Sequence, residues 1–97
     1  MNIGACKVKL RLPENQSLKG KRHTSKSIIE RVKNRFNVSI SEVDDNELWQ
    51  IITLGITCVS NSPQHANEVL SKVVDFIERG RFDVEMLDYE LEILHAL

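Results

Sequence analysis

Residues 3–12 alternate in polarity: Cys6, Val8, Leu10 and Leu12 fall on one side of the chain, and Lys7, Lys9 and Arg11 on the other. A period of two predicts a strand with one buried face. Pro13 ends it, and Glu14-Asn15-Gln16 supplies a polar loop. The period then lengthens. Ser17 is a natural N-cap, because its hydroxyl can accept from an otherwise orphan amide, and a helix is predicted from there to about Phe36. Leu18, Ile29, Val32 and Phe36 share its apolar face with Ile28 at the edge, Lys19, Arg22, Lys26 and Lys33 form a neighbouring stripe, and Arg31 and Arg35 lie on the far side. Gly20 weakens the first turn and allows a start a few residues later.

Val38, Ile40 and Val43 predict a short strand, followed by the turn cluster Asp44-Asp45-Asn46. Residues 48–60 are dense in β-branched side chains (Ile51, Ile52, Thr53, Ile56, Thr57, Val59) and predict a central strand that pairs with the preceding one as a hairpin. Ser62-Pro63 places a cap and a proline where a second helix should begin. Val69, Leu70, Val73, Phe76 and Ile77 keep helical spacing up to Gly80. The last segment alternates as Phe82, Val84, Met86 and then as Leu87, Tyr89, Leu91, Ile93, so its phase slips between Met86 and Leu87, as at a bulge or between two short strands. Six elements in the order βαββαβ predict a single α+β domain over residues 1–97: a ferredoxin-like two-layer sandwich, with a four-stranded antiparallel sheet in the order 4-1-3-2 and both helices on one face.

Charge adds what periodicity cannot. The net charge is −1, yet residues 1–36 hold ten Lys/Arg against Glu14 and Glu30, and residues 37–97 hold three against twelve Asp/Glu. Such polarity marks either a basic patch for a polyanion or two halves that neutralise each other in the fold. The two cysteines, Cys6 and Cys58, each sit in an apolar run and read as buried thiols rather than as a disulfide framework. No charged-then-apolar leader opens the chain and no apolar stretch has bilayer length, so a cytoplasmic location is expected.

Chemistry-bearing motifs are few. His23, His65 and His95 lie on separate elements and share no metal-ligand spacing with a Cys, Asp or Glu. There is no Gly-rich phosphate loop and no Ser elbow, and Asp44-Asp45 reads as a turn pair. Neither an enzyme nor a cofactor is expected. The first helix is the functional candidate: Ser17, Lys19, Lys21 and Arg22 surround its start, where loose N–H groups and the helix dipole favour an anion, and Lys26 and Lys33 extend the positive strip, as contact with an RNA backbone requires. The open sheet face offers Lys7, Lys9 and Arg11 beside Thr53, Gly55 and Thr57, with no ring for base stacking and with Glu90 and Glu92 near enough to neutralise the lysines. Trp49 and Phe82, near strand ends, are expected in the core. Two functions follow: a non-catalytic accessory protein contacting structured RNA or the ribosome, or a protein-interaction module, monomeric or a homodimer through a sheet edge at residues 38–43 or 82–93.

The segments Ser17-Leu18-Lys19-Gly20-Lys21-Arg22, Arg35-Phe36-Asn37-Val38-Ser39, Leu48-Trp49-Gln50 and Thr53-Leu54-Gly55 resemble the YlxP-like family, small bacterial proteins of unknown function. The resemblance covers nearly the whole chain and implies a ferredoxin-like fold; Gly20 departs from the helix-favouring polar residue expected there. Genes of the family often lie near translation-factor genes, a contextual association that carries no mechanism, so the resemblance bears strongly on the fold and only slightly on the function.

Overall fold

The computed structural model describes all residues, Met1–Leu97. Its elements are β1 (Asn2–Arg11), α1 (Leu18–Arg35), β2 (Ser39–Asp44), β3 (Ile51–Ser60), α2 (Pro63–Arg79) and β4 (Glu85–His95). The sheet runs β2-β3-β1-β4, every pair antiparallel, which is the expected order read from the other edge. Asn2, Gly4, Cys6, Val8 and Leu10 of β1 and Ile52, Leu54, Ile56 and Cys58 of β3 turn one face toward the helices. Ile28 and Val32 of α1 and Ala66, Leu70, Val73, Val74 and Ile77 of α2 complete one cluster of seventeen buried hydrophobic residues.

Both helix starts follow their capping chemistry. Ser17 Oγ accepts from the Gly20 amide and Ser62 Oγ from the His65 amide, and Pro63 opens α2. Gly20 does not delay the start of α1. The Asn15 side chain is folded against it, its amide nitrogen donating to the Ser17 and Trp49 carbonyls, and a Cβ on residue 20 would lie 2.2 Å from Asn15 Oδ1. The phase slip in the last strand is a bulge: Lys9 faces Asp88, Leu10 faces Met86, and Leu87 is left over. A second irregularity falls between Glu42 and Asp44 in β2, where Val43 turns onto the open face and packs over Gly55, close enough that a Cβ there would meet it at 2.7 Å.

The inner face of α1 differs from expectation. Lys21, Ser25, Ile28 and Val32 point into the protein, so Ile28 sits at the centre of the buried stripe, and Ile29 and Phe36 are only partly buried. Lys21 is 1% exposed. Its ammonium lies 3.0 Å from Glu42 Oε2 and donates to the Asp45 carbonyl, and Ser25 Oγ donates to Glu42 Oε1 at 3.1 Å. Glu42 reaches this position because it lies on the core face of an edge strand, beside Ile40 and opposite Leu54. Asp45 adopts a left-handed φ of 57°, which Asp tolerates, and its carboxylate accepts from Thr53 Oγ1 at 2.6 Å. One network therefore ties α1 to β2, to the turn after it and to β3. Lys21→Ala would strand the largely buried carboxylate of Glu42 without its cation and should destabilise the fold by about 3 kcal/mol. Replacing both partners with apolar residues (Lys21→Met with Glu42→Leu) should recover most of that loss, and urea midpoints of the two variants check it.

Candidate functional site

The ten cations of residues 1–36 do not gather on one surface. Lys21 belongs to the interior, which corrects its expected place among solvent-facing anion ligands: its charge is taken up by Glu42 and the Asp45 carbonyl. On the sheet, Lys9 lies 3.7 Å from Asp45 and Arg11 lies 3.2 Å from Glu85. Arg31 and Arg35 lie at the seam with α2 rather than on a free far side. The Arg31 guanidinium is 4.5 Å from the centroid of the Phe82 ring, and that of Arg35 is 5.2 Å from Phe76. Phe36, Phe76 and Phe82 form an edge-to-face series with centroids 5.6 and 6.2 Å apart.

Four cations of α1 stay together. Lys19, Arg22, Lys26 and Lys33 fall within about 60° of helix arc at 100° per residue, and all are exposed. Among carboxylates only Glu30 reaches one of them, 4.0 Å from Lys26, a loose contact between two exposed groups. Arg22, Lys26 and Lys33 border a shallow groove between α1 and β2 that Ile29, Ser41 and Glu42 help to line. Ser17 Oγ is engaged with the Gly20 amide, and the Asn15 side chain lies against the first turn, so Ser17 acts as the helix cap and the charge at this end of α1 comes from its side-chain cations.

Phe82 is buried as expected, but Trp49 is 55% exposed and Leu48 51%. Their segment precedes β3, and the Trp49 carbonyl is held by the same Asn15 amide nitrogen that holds the Ser17 carbonyl, which brings the indole's backbone beside the start of α1. The sequence offered no signal for this exposure. What holds residue 49 is its main chain, through a contact with a residue 34 positions away.

No group of three or more His, Cys, Asp or Glu residues is arranged to hold a metal ion. No helix is long and apolar enough to cross a membrane. Both cysteines are free and buried. The Cys58 thiol points at the Ala66 carbonyl at 3.8 Å, and burial pushes the Cys6 thiol from 9.0 up to about 11.

Fold and surface together define a small ferredoxin-like α+β protein with a basic helix stripe. The chain belongs to the family described as protein of unknown function (DUF503), which matches residues 3–91. It is 40% identical over 76 residues to the uncharacterized protein YlxP of Bacillus subtilis (strain 168), covering 78% of this chain and 83% of that one. Among solved structures, the de novo designed protein Foldit4 aligns over the whole of both chains with a TM-score of 0.52 and 14% identity, a likeness of fold alone.

Cys6 should resist alkylation in the native protein at pH 8 and react once the chain is unfolded, as mass spectrometry after an iodoacetamide pulse would show. Because the folded thiol titrates above its unfolded value, its contribution to stability is complete below pH 9 and is lost as pH rises toward about 11. Cys6→Ala should remove that part of the alkaline decline.

Proposed function

We propose that this protein is a non-catalytic accessory factor that contacts RNA through the exposed stripe Lys19, Arg22, Lys26 and Lys33. The observation that carries this reading is the survival of four cations on one face of α1 after internal pairing has consumed Lys9, Arg11 and Lys21. Sequence-independent contact with a phosphate backbone needs such a row, with spacing along a rigid element and no carboxylate lying between its members and solvent. Trp49, the only tryptophan of the chain, is tied by its carbonyl to the start of α1 and carries an exposed ring of the kind on which an unpaired base can stack. The charge balance argues for modest affinity. Four phosphate contacts are few, and the net charge of −1 provides no long-range attraction.

A structured RNA hairpin titrated at several salt concentrations tests this directly. Four contacts predict a slope of log K against log salt of about −3, and the variant Lys19→Ala/Arg22→Ala/Lys33→Ala should lower the slope by roughly 2 and weaken binding at every salt concentration. Lys21 is left intact in that variant so that the fold is undisturbed. Binding indifferent to salt, or equal in the variant and the parent, overturns the proposal.

A further inference from the structure

The open face of the sheet is built differently from the helix stripe. Its β1 column is Ile3, Ala5, Lys7, Lys9, and the β4 residues directly beside these are Leu94, Glu92, Glu90 and Asp88. One column is thus basic where its neighbour is acidic, and both become apolar at the same end. Val59, paired with Ile3 on the other side, extends that apolar end and is 68% exposed, and Leu94 is 44% exposed. Lys7, Asp88, Glu90 and Glu92 make no ion pair in the single chain, where Lys9 turns to Asp45 instead. Three carboxylates at every second position of an edge strand repel one another, and within the chain only the cross-strand neighbours Lys7 and Lys9 offset them, without closing an ion pair to them.

We infer that the open face is an interface between two copies of this chain, packed sheet on sheet about a two-fold axis that runs along the strands between β1 and β4. Such an axis exchanges the two columns. The β1 strand of one copy then lies over β4 of the other at the same height, because the residues exchanged are register partners. Lys7 meets the second copy's Glu90, Ile3 meets its Leu94, and Lys9, exchanging its long 3.7 Å contact with Asp45, meets the second copy's Asp88, each contact made twice by symmetry. The packing is the aligned kind that twisted sheets favour. Ala5 keeps the β1 column low at mid-face, where Glu90 and Glu92 border a concavity that a facing lysine can enter.

The same charges disfavour pairing through either sheet edge. Two β4 edges would set one carboxylate ladder beside another, and two β2 edges would bring two α1 stripes together. Face-to-face packing opposes unlike charges and leaves both α1 stripes free, so it is independent of the RNA reading.

Sedimentation of the full chain should give twice the 11.1 kDa chain mass. The variant Lys7→Glu/Lys9→Glu makes both columns acidic and Asp88→Lys/Glu90→Lys makes both basic, so each alone should associate roughly a hundredfold more weakly. Mixed in equal amounts, the two variants should recover a dimer containing one of each, since every column then faces its opposite. Circular dichroism of each variant separates loss of association from loss of fold, and a variant that does not fold is replaced by the single change Lys7→Glu or Glu90→Lys. A wild-type chain that remains at the single-chain mass at all concentrations overturns the inference. So does a mixture that associates no better than its components.

Discussion

The structure depends on a charge placed where a hydrophobe would ordinarily sit. Lys21 occupies the inner face of α1 one turn before Ser25 and two before Ile28, and it is held there by Glu42 and the Asp45 carbonyl. Charges are taken from water at a cost that only close partners offset. The pair is therefore more informative about specificity than about stability. Together with Ile28 and Val32 it sets which face of α1 points inward, and hence which residues remain outside. With Lys21 inward, Arg22, Lys26 and Lys33 are turned toward the β2 edge, and Arg31 and Arg35 toward the phenylalanines at the seam with α2.

That orientation explains how one chain carries +8 in its first 36 residues and −9 in the rest without collapsing into a single neutral contact. Neutralisation between the halves is local: Lys9 with Asp45, Arg11 with Glu85, Lys21 with Glu42. What remains is divided by the sheet: the α1 stripe projects from the helix layer, and the carboxylates of β4 project from the open face on the other side with Lys7 beside them. Two surfaces of different chemistry thus lie on opposite sides of one sheet.

The architecture was legible because its signals are local and repeated. Alternation in β1, the cap at Ser62 with Pro63, Gly80 after α2 and the slip at Leu87 each state a backbone requirement in a few residues. The site was legible only in part. Helical spacing identified the four-residue stripe, but no periodicity distinguishes a lysine that faces water from one that faces a buried glutamate contributed by another strand. Glu42 lies 21 positions from Lys21, and a two-residue strand period placed it on the core face only once the register with β3 was known. Trp49 failed for a related reason. Hydrophobicity predicts burial when a regular element carries the residue inward, whereas residues 45–50 are positioned by main-chain contacts, which are indifferent to side-chain polarity.

Asn15 has a consequence for how the molecule opens. Its amide spans the Ser17 and Trp49 carbonyls, Gln50 returns a bond to the Asn15 carbonyl at 3.2 Å, and the Leu12 amide donates to the Gln50 carbonyl at 2.8 Å. The loop leaving β1 and the loop entering β3 are thereby stitched into one unit, although more than thirty residues separate them in the chain. Because fraying of either loop breaks bonds held by the other, amides in the first turn of α1 and around the β2–β3 turn should exchange with solvent as a single cooperative group.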